Sequence, residues 1–162
     1  MFNPNLKKAY TTHMGVLAKV ISISKGDVVE LGAGPFSTPL LHWLCKDMNR
    51  RLISYENDPE YYNYARQFRS RLHRIILVKD WDEVDFKAHR GVVFIDHNPF
   101  SRRATDTIKF KSSADYVVIH DTECERDFGV VWPHFKHIYT WRQCHPWVSV
   151  ISNFKDLSNL EQ

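Results

Sequence analysis

The sequence predicts a single doubly wound α/β domain, mostly parallel, whose sheet closes with an antiparallel hairpin. Three observations carry this expectation. Five short apolar runs alternate with helix-like segments between residues 5 and 120, the pattern of strands joined by helical crossovers. The first run, Val28-Val29-Glu30-Leu31, leads directly into Gly32-Ala33-Gly34, a strand followed by a glycine turn. The last two apolar runs, 135–141 and 147–152, are separated only by residues 142–146. That is too short for a helical crossover, so the two pair as a hairpin.

In chain order, residues 5–24 read as a helix. Leu6, Tyr10, Met14, Leu17 and Ile21 recur at spacings of three and four and make one apolar face, and Gly26 ends it. The first strand, Val28–Leu31, follows. Gly32 and Gly34 permit backbone angles that side chains forbid and a close approach of ligand to main chain. Ser37 is expected to cap the next helix, residues 39–48, with Pro39 in its first turn. Free amides there would receive an anionic or polar ligand. Residues 51–56 read as strand two. Asp58 caps and Pro59 opens a helix running to about residue 72. Strand three is 74–78, followed by Asp80-Trp81 and a loop or short helix over 82–90. Strand four, 91–96, is a continuous apolar run, as for a parallel strand buried on both faces. A helix over 101–112, strand five at 115–120 and a mixed segment over 121–132 complete the crossovers. No repeat, low-complexity tract or linker interrupts the chain. The organisation expected is one domain, 1–162: an N-terminal helix (1–26), a core (27–153) and a tail (154–162).

Composition narrows the class. A chain of 162 residues with 43% apolar content can bury a sizeable core. It holds no run of about 18 apolar residues that would span a membrane, and its first residues lack the apolar stretch of a secretory signal. The three cysteines, Cys45, Cys124 and Cys144, are far apart and form no Cys-x-x-Cys. Neither a disulfide framework nor a zinc site is expected from them, and the compartment expected is cytoplasmic. A net charge of +3 does not by itself point to nucleic acid. His120, His134, His137 and His145 have no mutual spacing that suggests ligation and read as structural.

In doubly wound sheets the ligand lies at the carboxyl ends of the strands, near the point where strand order reverses. Those ends carry Glu30 with Gly32, then Glu56, Asp80, Asp96 and Asp121. An acid ahead of the glycine turn would repel a pyrophosphate. It suits a ligand that carries positive charge.

At this point residues 28–152 resemble the class I S-adenosylmethionine-dependent methyltransferases, whose fold is Rossmann-like. Val28-Val29-Glu30-Leu31-Gly32-Ala33-Gly34 resembles the family's first motif, an acid two residues before a Gly-x-Gly. Ser54-Tyr55-Glu56 resembles its second, an acid ending strand two. Asp80-Trp81 stands where the family places an adenine-contacting acid, and the terminal hairpin matches its last two strands. Within the family the nearest likeness is to catechol-type and macrocin-type O-methyltransferases. Phe94-Ile95-Asp96-His97 resembles Phe-Leu-Asp-His, and His120-Asp121-Thr122 resembles Ala-Asp-Asn. In the catechol-type group the two aspartates and the asparagine bind magnesium. Here Thr122 replaces the third ligand and Pro99 the lysine base. Asn98-Pro99-Phe100 is similar to the Asn-Pro-Pro-Tyr of amino-group methyltransferases on nucleic acids, but lacks the second proline and lies two residues late.

The resemblance implies an enzyme that moves a methyl group from S-adenosylmethionine to a small-molecule acceptor, a hydroxyl oxygen in the first place. Nucleic acid and membrane are not expected as partners. It implies that Gly32, Ala33, Gly34 and Ser37 receive the methionine end, with Glu30 toward its amino group, directly or through water, and Ser37 toward its carboxylate. Glu56 would accept both ribose hydroxyls, Asp80 the adenine amino group, and Trp81 and His97 would lie against the ring. Asp96 and Asp121 would be the catalytic acids and, as a tentative Mg2+ site, the metal ligands. Arg102 and Arg103 could bind an acidic substrate or be a solvated helix start. Two other classes compete: a cofactor-binding relative without transfer activity, and an NAD-dependent oxidoreductase, which Glu30, the hairpin and the lack of a Tyr-x-x-x-Lys disfavour.

Overall fold

The computed structural model describes residues 8–160. They form a seven-stranded sheet, with β1 at Val28–Leu31, β2 at Leu52–Glu56, β3 at His73–Leu77, β4 at Arg90–Ile95, β5 at Ala114–His120, β6 at His137–Trp141 and β7 at Val148–Ser152. The spatial order is β3-β2-β1-β4-β5-β7-β6. The first five strands are parallel, and β7 runs antiparallel to both β5 and β6. The expected hairpin is therefore present. It inserts its second strand against β5 and leaves the first on the edge.

β1 and β4 are buried at every residue. Alternate side chains leave a strand on opposite faces, so each central strand feeds two cores. Val28, Val92, Phe94, Val118 and Val148 pack with α1 (Met14–Ile23) and α2 (Ser37–Asp47) on one face. Val29, Leu31, Val93, Ile95, Val117 and Ile119 pack with Trp81, Phe110 and Phe128 on the other. The tail joins the first core through Leu157 and Leu160.

Several boundaries differ from the sequence expectation. The N-terminal helix is shorter. A 3-10 turn at Lys8–Thr11 precedes α1, and His13 stands at the cap of α1 with no side-chain capping bond. The break falls at Thr12-His13, and Thr12 is drawn to the sheet by a 2.9 Å bond between its Oγ1 and His120 Nε2. Leu6 lies outside the described residues. Ten residues are too few for a stable isolated helix, so α1 is held by burial of Val16, Leu17, Val20 and Ile21. Helix α2 starts at Ser37 itself, so Ser37 is a buried first-turn residue and not a cap. Helix α3 stops at Ala65 and continues as a 3-10 turn to Phe68. Its start is as expected, with Asp58 Oδ1 accepting from the amides of Glu60 and Tyr61 and Pro59 as first residue. Segment 101–112 divides into a 3-10 turn and α4 (Arg103–Lys109).

Candidate functional site

Strand register decides which residues meet. Leu31 lies level with Tyr55 on one side and Ile95 on the other, and Ile95 lies level with Ile119. One residue further on, Gly32, Glu56, Asp96 and His120 come to the same carboxyl edge. There a cavity of about 550 Å³ opens, within the usual range of small-molecule sites. Its near side is the glycine turn with Ser37, Glu56, Asn57 and Tyr61. Its far side is Asp96, Asn98, Arg103, His120 and Asp121, with Tyr10 and His13 from the N-terminal segment.

On the near side Gly32 has φ +90°, and a Cβ there would lie 2.6 Å from His97 Cα and 2.7 Å from Asp96 C. The turn therefore touches the end of β4 backbone to backbone, which requires glycine. The amides of the glycine turn itself are in use. Gly32 N–H donates to Tyr55 O at 2.9 Å, Ala33 N–H to Glu56 Oε2 at 2.7 Å, and Gly34 N–H to Thr38 Oγ1 at 2.9 Å. The turn is thereby tied to the end of β2 and to α2, and Phe36 and Ser37, at the helix start where free amides were expected, line the cavity.

Glu56 is buried on the cavity wall, and its Oε1 also accepts from the amides of Asn57 and Asp58 at 2.8 Å each. Burial raises its carboxyl above the ordinary value, against the pull of those three amides. With roughly four lone-pair positions on a carboxylate, three are taken. There is room for one further hydroxyl at good geometry, where two were expected.

Glu30 does not reach the cavity. Alternation along β1 sends its side chain under α2, where it is fully buried. It accepts from the Thr38 hydroxyl at 3.1 Å and, over a short bond, from Ser54. Burial pushes its carboxyl up to about 7, against the hydroxyls of Ser37, Ser54 and Thr38. Of the two ways expected for Glu30 to meet a ligand amino group, directly or through water, the direct one is not offered here, because Glu30 is not among the residues lining the cavity, and Thr38 Oγ1 links it to the Gly34 amide. Ser37 lines the cavity.

Asp80, Trp81 and His97 are placed otherwise than expected. Asp80 caps the 3-10 turn Trp81–Glu83 and pairs with Arg102 at 3.2 Å in solvent. Trp81 is buried, donating its indole N–H to Asn98 O at 2.7 Å. Neither is among the residues lining the cavity. His97 lines it, but its ring has no exposed area, packs on Trp81 at 4.3 Å and bonds Asp106 at 3.0 Å.

The far side is built from charges. Arg103, the first residue of α4, is buried and spans the ends of β4 and β5. Its Nη1 lies 2.9 Å from Asp96 Oδ1 and 2.8 Å from Asp121 Oδ2, and it donates to the carbonyls of His97 at 2.7 Å and Asp96 at 3.0 Å. Asp121 sits at φ +60°, a left-handed conformation that aspartate tolerates better than most residues. Arg103 is thus neither a solvated helix start nor free to bind an acidic substrate. Nor does the Asp96/Asp121 pair fit magnesium. The guanidinium already lies between the two carboxylates, and Thr122, in the position of the third ligand, is buried with its hydroxyl on Ser149 at 2.8 Å.

In register, Asp96 meets His120 more directly than Asp121, with Nδ1 at 3.2 Å from Asp96 Oδ1. Burial pushes the Asp96 carboxyl up, but the His120 hydrogen bond and the Arg103 charge outweigh it and hold it below the ordinary value. Burial likewise lowers His120, and Asp96 and Asp121 more than reverse this, leaving it raised. Asp121 is raised, chiefly by burial. Sequence reasoning missed His13, read His120 as structural, and singled out Arg103 without its role between the two aspartates. The only local signal was a pair of arginines opening the segment after strand four.

No family model matches the chain, and no curated protein does. Solved structures match its fold. A methyltransferase from Pyrococcus furiosus aligns with a TM-score of 0.63 at 14% identity, over 96% of this chain and 88% of the other. A candidate caffeoyl-CoA O-methyltransferase from Staphylococcus aureus aligns at 0.64 and 11% identity, over 92% and 85%. A candidate RNA methyltransferase from Pyrococcus horikoshii aligns at 0.56 and 18% identity, over 88% and 81%. The chain has the Rossmann-like fold of these methyltransferases. Because that fold serves proteins named for caffeoyl-CoA and for RNA, it gives no support to leaving nucleic acid out as a partner. No helix of the described residues is long and apolar enough to cross a membrane.

Proposed function

We propose that this protein is an S-adenosylmethionine-dependent methyltransferase acting on a hydroxyl of a small molecule. One observation carries the reading: the glycine turn with Glu56 and the Asp96–Asp121 acid pair face each other across one cavity at the carboxyl edge of the sheet. The cavity walls suit the cofactor. An acid at the end of β2 offers an acceptor to a ribose hydroxyl, and the amides of Gly32, Ala33 and Gly34 are already taken and do not favour a pyrophosphate in its place. Gly32, Ala33, Gly34, Ser37 and Glu56 would hold it, with Asn57 and Tyr61 beside them. When bound, its sulfonium supplies a methyl group already activated for transfer.

The chain's own task is then to place the acceptor and take its proton. Asp96 and Asp121 present carboxylates on the far wall, locked in position by Arg103. A hydroxyl held by this pair has a proton acceptor within reach and a fixed line toward the near wall.

Calorimetric titration with S-adenosylhomocysteine and with NAD tests the cofactor class. S-adenosylhomocysteine is expected to bind and NAD not; the reverse result overturns the reading. Glu56→Ala is expected to weaken S-adenosylhomocysteine roughly 10-fold or more, as for loss of a hydrogen bond to a charged group. Unchanged affinity in that variant removes Glu56 from the site. An acceptor panel of phenols, sugars and RNA oligomers then tests the hydroxyl assignment, and methylation confined to RNA overturns it.

A further inference from the structure

We propose that His13, Asp96 and His120 form a binding site for a divalent transition ion of the zinc class on the far wall of the cavity. The three side chains come from the start of α1 and the ends of β4 and β5. One ligand atom from each lies within 4.8 Å of the other two. Asp96 Oδ1 and His120 Nδ1 are 3.2 Å apart, close to the separation of about 3.4 Å that tetrahedral ligands take around zinc at ~2.0–2.1 Å.

His13 is the independent sign of a missing ligand. It is 2% exposed, its ring stands 4.9 Å from the His120 ring, and neither of its nitrogens has a hydrogen-bond partner. A buried imidazole with both nitrogens unsatisfied calls for a bound group. A separation of up to 4.8 Å has to close by as much as ~1.4 Å to reach tetrahedral spacing, and no hydrogen bond of His13 opposes that shift. The outer contacts are those of a held ligand set: Thr12 Oγ1 engages His120 Nε2 at 2.9 Å, and Arg103 fixes Asp96. Such partners orient metal-binding side chains.

The donor chemistry selects the ion. Two imidazoles and one carboxylate suit zinc and its neighbours, whereas magnesium prefers oxygen alone. Two carboxylates, Asp96 and Asp121, against one guanidinium leave one net negative charge to attract a cation, and the ion displaces any proton from the imidazole nitrogens it takes. Arg103 Nη1 reaches the same Asp96 Oδ1 at 2.9 Å, so the ion takes that oxygen's other lone pair, the one that faces His120 Nδ1, whereas an ion between Asp96 and Asp121 would have to displace the guanidinium. The inference does not depend on the methyl-transfer reading, and its test uses no cofactor.

Untagged protein, stripped with a chelator and dialysed, is titrated with zinc and with magnesium by calorimetry. Zinc is expected to saturate at one ion per chain, with no saturable magnesium heat. His13→Gln and His120→Asn are each expected to weaken zinc at least 10-fold. His13 makes no hydrogen bond, so its variant should fold even if His120→Asn does not. Cobalt in place of zinc should give visible d–d bands without a thiolate charge-transfer band. Three results overturn the proposal: no saturable zinc binding, unchanged affinity in His13→Gln, or a thiolate band that places the ion on Cys124 or Cys144.

Discussion

The two walls of the cavity hold their acids by different means. On the near side Glu56 is served by three backbone amides, and Glu30 beneath it by the hydroxyls of Thr38 and Ser54. On the far side Asp96 and Asp121 are served by a buried guanidinium and an imidazole. Neutral donors do not offset the loss of hydration, so both near-side carboxyls are raised. Charged partners do offset it at Asp96, which is lowered. Asp121 shows the limit of the contrast. It shares Arg103 with Asp96 and feels its neighbour's charge, and burial leaves it raised. The near wall is therefore set by backbone shape and the far wall by charge balance.

The largest expected effect breaks the far wall. Arg103→Met keeps the stem but removes the guanidinium from two carboxylates that are only 25% and 28% exposed. Leaving buried charges uncompensated costs about 3–5 kcal/mol, to be read by urea unfolding at neutral pH. Adding Asp121→Asn to that variant should restore part of the loss, because one of the two stranded charges is gone. A cost below about 1 kcal/mol, the level of an exposed ion pair, would remove the contrast between the walls.

This difference also explains what could be read from the sequence. The near wall is marked by residue type within recognisable elements: a glycine that must adopt φ +90° directly after a strand, and an acid that ends the next strand although it lies 23 residues from Ala33. The parallel sheet and hairpin were legible for the same reason, since run length and loop length constrain pairing. The far wall depends on register and on side chains far apart in the chain. Two consecutive arginines after a strand look solvated, yet Arg102 pairs outside with Asp80 and Asp82 while Arg103 turns inward. His13 sits within an apolar helical pattern, and nothing local marks that α1 starts only at Met14, about two and a half turns later than the pattern suggests, with the ring beside His120. Asp80 and Trp81 show the converse. Their spacing fits an adenine site, but the tryptophan is drawn into the second core and the aspartate into a capping turn.

The next effect tests the near wall through pH. Glu30 holds its proton up to about 7 in the folded chain, against an ordinary value of 4.5. Between those values the folded state binds more protons than the unfolded one, so this group's contribution to stability falls as pH rises. The shift corresponds to roughly 3 kcal/mol across that window. Glu30→Gln keeps the shape and cannot ionise. The stability of the variant relative to the parent should therefore climb between pH 4.5 and 8, measured by thermal or urea unfolding at each pH. Parallel profiles for the two proteins would show that Glu30 ionises freely and that its hydroxyl partners suffice.

The smallest effect separates the walls. Asp58 caps α3 through the amides of Glu60 and Tyr61, and α3 carries Tyr61 to the near side of the cavity. Loss of such a cap costs about 1 kcal/mol, so Asp58→Ala should remain folded with a slightly lower melting temperature. Fraying the first turn of α3 also loosens the amide of Asp58 that bonds Glu56 Oε1. The variant should thus weaken S-adenosylhomocysteine by a few-fold, as expected for about 1 kcal/mol. The far wall has no bond to α3 in its ion pairs, so the imidazole titration of His120, followed by NMR, should be unchanged. A shift in His120 titration on loss of a cap across the cavity would mean that the two walls are coupled through the bound space between them, and that backbone shape and charge balance act as one unit.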